Sequence, residues 1–157
     1  MSGLPNPICN SSSGVIENVQ DVLCFGSFTG SASLSINGGT SPYNIDWNGV
    51  NNLNLSAGSY LYDVIDLNNC IYSGVVTIQE PNQITAINTI TSSTCPYTYD
   101  GSVIVSVNGG TPPYQQNWLG SNPLSLQSGM HAYIIVDSNN CVDTNQIIIP
   151  SISDISV

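Results

Sequence analysis

His131 is the one histidine of this 157-residue chain and the first residue to weigh as a catalyst, because an imidazole exchanges protons near neutral pH. No Ser or Cys in a recognisable nucleophile motif lies near it, and the chain contains no Gly-x-Ser-x-Gly sequence. His131 also occupies the position that Tyr60 holds in a repeated segment, on the inward side of a predicted strand. A half-buried aromatic substitute is therefore favoured over a general base. A small hydrolase that uses Asp and His131 is the least favoured function, and we expect no enzyme.

Two short loops carry oxygen-bearing side chains of the kind that bind calcium. They read "DLNNC" at 66–70 and "DSNNC" at 137–141, so that calcium candidates are Asp66, Asn68, Asp137 and Asn139. Asp and Asn are also the residues that a tight reversal requires, since their side chains bond to nearby backbone and Asn tolerates the left-handed conformation. No spacing resembles a dedicated calcium loop. Turn geometry is favoured, and calcium is the single cofactor considered.

Four of the five cysteines form two pairs of equal spacing. Cys24 and Cys70 lie 46 residues apart, as do Cys95 and Cys141. We predict a disulfide within each pair, which in the loop-entropy account stabilises a small domain by about 2–4 kcal/mol. The alternative is buried, reduced thiols that pack as small apolar groups. A metal site is disfavoured because the chain has no Cys-x-x-Cys and a single His.

Cys9 belongs to neither pair and lies in the N-terminal segment 1–18. The sequence "CNSSSGVI" at 9–16 is loosely similar to "CIYSGVV" at 70–76, as if it were the last strand of an earlier repeat. The functional interpretation is an intermolecular crosslink, or a strand donated to a neighbouring subunit. A frayed tail with an unpaired thiol is simpler and is favoured.

The charge balance excludes two classes of partner. The chain has ten Asp and Glu, no Lys and no Arg, for a formal net charge of −10. Nucleic acids and anionic membrane surfaces are both bound through basic side chains. Insertion into a membrane is also disfavoured, because no stretch approaches the roughly 20 apolar residues that span a bilayer. We expect no nucleic-acid partner and no membrane insertion.

An internal duplication sets the domain organisation that positions these residues. The clause "NGGTSPYNIDW" at 37–47 returns as "NGGTPPYQQNW" at 108–118, an offset of 71 residues. At this offset and without a gap, 21 of the 47 positions from Cys24 to Cys70 are identical. We predict an N-terminal tail or donor strand at 1–18 and two domains, at 19–88 and 89–157.

Within each copy the apolar residues alternate with a period of two, which predicts strands. "SASLSIN" at 31–37 and "SVIVSVN" at 102–108 are examples, and Gly, Pro, Asn and Ser clusters interrupt the pattern every eight to twelve residues. The prediction is an all-β chain of two tandem immunoglobulin-like antiparallel sandwiches of about seven strands each. Trp47 and Trp118 are predicted to be the central core residues.

The order of elements "C…GS…NGGTxPYxxxW…LxL…G…D…NNC" resembles the SprB repeat. This immunoglobulin-like module occurs in tandem in large surface adhesins of gliding Bacteroidota. The likeness covers about 19–88 and 89–157, and its most specific part is the "NGGTxPYxxxW" corner. The resemblance implies no catalytic residues. It implies a module exposed on a surface.

Two functions follow from these observations. The first is a non-catalytic surface module of adhesin or stalk type, located outside the cell or on a cell or virion surface, whose partner is a protein or glycan ligand. The second is a self-assembling structural subunit, such as a virion surface protein or an extracellular filament, whose partner is another copy of itself. In that case segment 1–18 or the sheet edges would make the polymer contacts.

Overall fold

The computed structural model describes residues 14–152, and the regular secondary structure of this part is entirely β-strand. The strands are β1 Gly14–Gln20, β2 Ser31–Asn37, β3 Asn44–Asp46, β4 Gly58–Ile65, β5 Ile71–Ile78, β6 Thr85–Thr91, β7 Ser102–Asn108, β8 Gln115–Asn117, β9 Gly129–Val136 and β10 Val142–Ile149. All named strand pairs are antiparallel. The predicted all-β class is confirmed.

The chain divides into two compact units between Glu80 and Pro81. Strands β1 to β5 belong to the first unit and β6 to β10 to the second. The predicted boundary at 88/89 falls inside β6, which pairs along its whole length with β7 of the second unit. The predicted tail likewise overlaps β1, whose residues pair with β2 from Gly14↔Asn37 to Gln20↔Ser31. Both boundaries therefore lie earlier than predicted.

Each unit combines a two-stranded sheet with a three-stranded sheet. In the first unit β1 pairs with β2, and the order of the other sheet is β3-β4-β5. The second unit repeats this as β6-β7 and β8-β9-β10. The described residues thus give five strands per unit where about seven were predicted. The segment after β3 contributes turns instead, joined to the rest by single bridges at Gly30↔Leu55 and, in the second unit, Gly101↔Leu126.

The core of the first unit lies between its two sheets. Its buried residues come from both sheets and from the adjoining loops: Val22, Ala32, Leu55, Tyr62, Val64, Val76 and Ile78. Alternation along β4 explains this arrangement, because successive side chains point to opposite faces, so that Tyr62 and Val64 lie inward while Leu61 is exposed. Trp47 is partly buried and packs against this cluster, with its ring centroid 5.4 Å from that of Tyr62.

The second unit buries the equivalent positions. Its buried apolar residues include Ile84, Val103, Leu126, Tyr133, Ile135, Ile147 and Ile149. Trp118 is 7% exposed and stacks on Tyr133 with ring centroids 4.3 Å apart. The structure therefore confirms the predicted core position of Trp118 and places Trp47 at the border of its core.

The repeated Asn-Gly-Gly clause makes a corner between sheets, not a hairpin within one. It connects β2 of the two-stranded sheet to β3 of the three-stranded sheet. Gly38 and Gly39 have positive φ, 97° and 65°, which glycine adopts without steric cost. The Tyr43 hydroxyl donates to Gly38 O at 2.7 Å, and the Ser41–Pro42 peptide bond is cis. The second unit repeats the tyrosine bond and the cis peptide at Tyr114 and Pro113.

Candidate binding surface

The Asp66 side chain organises the turn after β4 and ties it to the corner. Its Oδ1 accepts the backbone N–H groups of Asn68 at 2.8 Å and Cys70 at 2.9 Å. Its Oδ2 accepts the N–H of Thr40, in the corner, at 3.0 Å. These bonds, that of Cys70 above all, hold the pKa of Asp66 below its ordinary value, because each favours the charged carboxylate.

Asp137 makes the same three bonds in the second unit, where it is buried. Its oxygens accept the N–H groups of Asn139, Cys141 and Thr111 at 2.9, 2.8 and 2.9 Å. Asn140 has a φ of 62°, so it supplies the left-handed position that the turn needs. This bonding explains why Asp and Asn recur in both copies.

The calcium candidates therefore lie where turn geometry predicts, with their carboxylate oxygens already bonded to backbone. The side-chain amide of Asn68 donates to the Thr40 hydroxyl at 2.9 Å, and that of Asn139 to the Thr111 hydroxyl at 3.1 Å. Over residues 14–152, no three His, Cys, Asp or Glu side chains are grouped so as to hold a metal ion. The expectation of no cofactor, with calcium as the disfavoured alternative, stays a prediction.

His131 has the same structural role in the second unit as Tyr60 has in the first. The Tyr60 hydroxyl donates to Ser56 O at 3.0 Å, and His131 Nε2 lies 2.8 Å from Gln127 O, the equivalent carbonyl. Both side chains are half-buried. The imidazole thus bonds to the backbone as the phenol does.

The predicted Cys95–Cys141 disulfide is wrong. Cys95 is free and exposed, whereas Cys24, Cys70 and Cys141 are each disulfide-bonded. Cys9 and the suggested donor segment before residue 14 lie outside the described residues. Residues 14–18 are within β1 and already pair with β2, so they are not available to a neighbour while that pairing holds.

Strand geometry also excludes a bond between Cys24 and Cys70. Cys70 directly precedes β5, whereas Val22 N donates to Gln79 O at 2.9 Å, just beyond the other end of that strand. Nine residues of strand span about 30 Å, and a disulfide requires Cα atoms within about 7 Å. Cys24, two residues from Val22, is therefore far from Cys70. Equal spacing in the two copies reflected the duplication and not proximity.

Exposed aromatic side chains lie on the loop before β7. Tyr97 is 82% exposed and Tyr99 is 65% exposed. The loop is a turn in which Thr98 N donates to Cys95 O at 3.3 Å. Asp100 closes it by accepting hydrogen bonds from the Thr98 hydroxyl at 2.7 Å and from the Thr94 hydroxyl and backbone N–H. These donors, the Thr94 hydroxyl above all, hold the pKa of Asp100 well below its ordinary value.

The first unit places phenylalanines on the same loop. Phe25 and Phe28 are exposed, and Ser27 N donates to Cys24 O at 3.1 Å, which reproduces the turn. In this unit Glu80 has the role that Asp100 has in the second, because its Oε2 closes the turn by accepting the N–H of Gly26 at 2.6 Å. Phe28 and Tyr99 lie 71 residues apart, at equivalent positions of the two copies. The alternation of apolar and polar residues gave no signal that these rings would be exposed.

Leu53 and Leu124 extend these exposed loops although they are identical in the two copies. Leu124 is 72% exposed, and Leu53 is similarly exposed. Ser125 Oγ donates to Tyr99 O at 2.8 Å, which brings the turn that carries Leu124 beside the aromatic loop. We call the exposed sets the apolar tips: Phe25, Phe28 and Leu53 in the first unit, and Tyr97, Tyr99 and Leu124 in the second.

A shallow cavity of about 410 Å³ lies on the corner of the first unit. It is lined by Pro42, Tyr43, Asn44, Ile65, Asp66, Leu67 and Asn69. Two of these residues, Tyr43 and Asp66, are held by the backbone bonds that build the corner. The bonds that build the corner therefore also fix two walls of this cavity.

The fold defines a class: two all-β units of the same strand order, each with exposed apolar side chains on its loops. The family comparison agrees, because residues 16–52 match the model of the SprB repeat, which confirms the resemblance over that stretch. SprB repeats occur in surface-exposed proteins. Searches of curated proteins and of solved structures found no match. No helix in the described part of the chain is long and apolar enough to cross a membrane.

Proposed function

We propose that this chain is a non-catalytic extracellular module of adhesin or stalk type, which binds a surface ligand and displays its loops toward it. The observation that carries the proposal is the pair of apolar tips. Both units keep the corner, the Asp turn and the core tyrosine, yet both expose three large apolar side chains at one pair of loops. Such exposure on a small domain is typical of an interaction site.

The titratable groups with shifted pKa values have structural partners, which supports a role without catalysis. Burial raises the pKa of Tyr62, whose hydroxyl also donates to Glu17 at 2.8 Å. Asp66 and Asp100 bond to the loops that they close. A catalytic group would be expected to face a cleft with its proton free to move.

Self-assembly is the second candidate. The observation in its favour is that, among residues 14–152, each two-stranded sheet pairs its strands only with each other, so that the outer backbone edge of each strand has no partner strand. Such edges accept strands from neighbours. Solution mass, measured with and without reductant, separates the two candidates. A monomer of 16.6 kDa in both conditions would reject self-assembly, whereas an ordered polymer would reject the simple display module.

Adhesion under flow tests the proposed function. Beads that carry many copies of the chain are passed over three surfaces, coated with a basic protein, an acidic protein or a neutral polysaccharide. We expect retention on at least one surface, and loss of that retention when excess soluble chain is added. Retention no greater than that of uncoated beads on all three would overturn the proposal.

A further inference from the structure

Tyr97 holds a backbone conformation that its side chain disfavours. Its φ is 73°, at the third position of the turn from Cys95 to Thr98. The first unit has Gly26 at this position with a φ of 70°, and glycine adopts that region without steric cost. A tyrosine there is strained, and its 82% exposed ring contributes little core burial in return. Strain of this kind is concentrated at sites that contact ligands.

A carboxylate closes the turn of each apolar tip. In the second unit Asp100 accepts the Thr98 hydroxyl, and in the first Glu80 accepts the N–H of Gly26. The chain contains no Lys or Arg, so no side-chain ammonium or guanidinium neutralises these charges. The net charge of −10 adds a long-range field of the same sign. Aromatic ring faces and carboxylates both attract cations.

Building on the proposed surface-binding function, we propose that the apolar tips bind the Lys and Arg side chains of a basic protein surface. Tyr97 and Tyr99 offer ring faces to the cationic head group, and Leu124 offers an apolar contact to its aliphatic stem. In the first unit Phe25 and Phe28 offer the ring faces. The charge complementarity favours this partner over a neutral glycan.

Titration calorimetry with an oligoarginine peptide tests the proposal, with an oligoglutamate peptide as the probe of opposite charge. Two variants remove rings from the tip: Tyr97→Gly, which restores the residue type of the first unit, and Tyr99→Ser. Each ring at an exposed site contributes about a two- to five-fold factor in affinity. We expect each variant to weaken oligoarginine binding by about that factor. Tyr97→Gly should also raise the melting temperature, because it relieves the left-handed strain.

The control is Ile148→Thr, a substitution at an exposed strand position of the second unit, which replaces Ile148 by the residue type found at the equivalent Thr77. Its affinity for oligoarginine should equal that of the original chain. Binding should weaken at about 0.3 M salt, where exposed charges are screened. Equal affinity of the original chain and both tip variants would overturn the proposal.

The same variants on the flow surfaces separate this inference from the proposed function. If the original chain is retained on the basic protein and the tip variants are not, the result supports both the cationic partner and the surface-binding function. Retention on the neutral polysaccharide alone overturns the cationic partner and leaves the surface-binding function standing. Retention on no surface overturns the proposed function itself.

Discussion

The Tyr133 hydroxyl donates a hydrogen bond of 2.7 Å to Asn88 Oδ1, which joins β9 to β6 across the core of the second unit. Tyr62 makes the equivalent bond to Glu17 in the first unit, between β4 and β1. One polar bond between the two sheets is thus kept in both units, although its acceptor changes from carboxylate to amide. The ring of Tyr133 is fully buried, so the bond satisfies the one polar atom that it carries inward.

Tyr133→Phe should destabilise the second unit by about 1 kcal/mol, because it removes this bond while it leaves the ring stacked on Trp118. Chemical denaturation followed by tryptophan fluorescence measures the change. Tyr99→Phe is the control, since its ring is exposed and its stability effect should lie within about 0.5 kcal/mol of zero. An equal effect of the two substitutions would contradict the role assigned to the Tyr133 hydroxyl.

Asp137→Ala should destabilise the second unit by about 3 kcal/mol, because three backbone N–H groups lose a charged acceptor at a buried turn. The matched control is Asp143→Ala, which removes a carboxylate that accepts one bond, from Asn145. We expect the control to change the free energy of unfolding by less than about 1 kcal/mol. Equal free energies of unfolding for the two variants would contradict the prediction.

Stability should fall in acid below about pH 3.8, the ordinary pKa from which Asp66 and Asp100 are both shifted downward. A carboxyl whose pKa is lower in the folded chain stabilises the fold fully above its unfolded pKa, and this contribution is lost as the pH falls through the folded value. Asp100→Asn should reduce the loss of stability that the second unit shows as the pH falls. Melting temperatures from pH 7 to pH 2 give the comparison, and an unchanged loss of stability would reject the assignment.

Alkylation before reduction should label Cys95, and Cys24, Cys70 and Cys141 should become reactive only after reduction. The peptides must be produced with chymotrypsin, since a chain without Lys or Arg offers trypsin no site. Recovery of a peptide that joins Cys95 to Cys141 would contradict the free Cys95, and recovery of one that joins Cys24 to Cys70 would contradict the strand geometry.

The sequence predicted the parts of the fold that repetition and alternation encode. Strands such as β2 and β7, the core position of Trp118 and the left-handed Asn69 and Asn140 follow directly from local pattern. The number of strands could not be predicted from this pattern. The stretch from Asn48 to Ala57 is apolar enough for a strand, yet its own side chains hold it in turns. For example, the Asn51 side-chain oxygen accepts the N–H of Leu53.

Neither the cysteine pairing nor the apolar tips could be predicted from the sequence, for physical reasons. Spacing along the chain does not tell which end of a strand a residue occupies, and so Cys24 and Cys70 were paired across the length of β5. Exposure of Leu124 and Tyr97 depends on how two loops meet at one end of a unit, through contacts such as Ser125 with Tyr99.

Hydroxyl-radical footprinting of the chain, free and bound to the surface that retains it, shows directly whether the apolar tips make the contact. We expect Tyr97, Tyr99 and Leu124 to lose reactivity on binding, and Met130, which is comparably exposed on a strand, to keep its reactivity. Protection of Met130 with unchanged tips would contradict the claim that this module binds through its apolar tips.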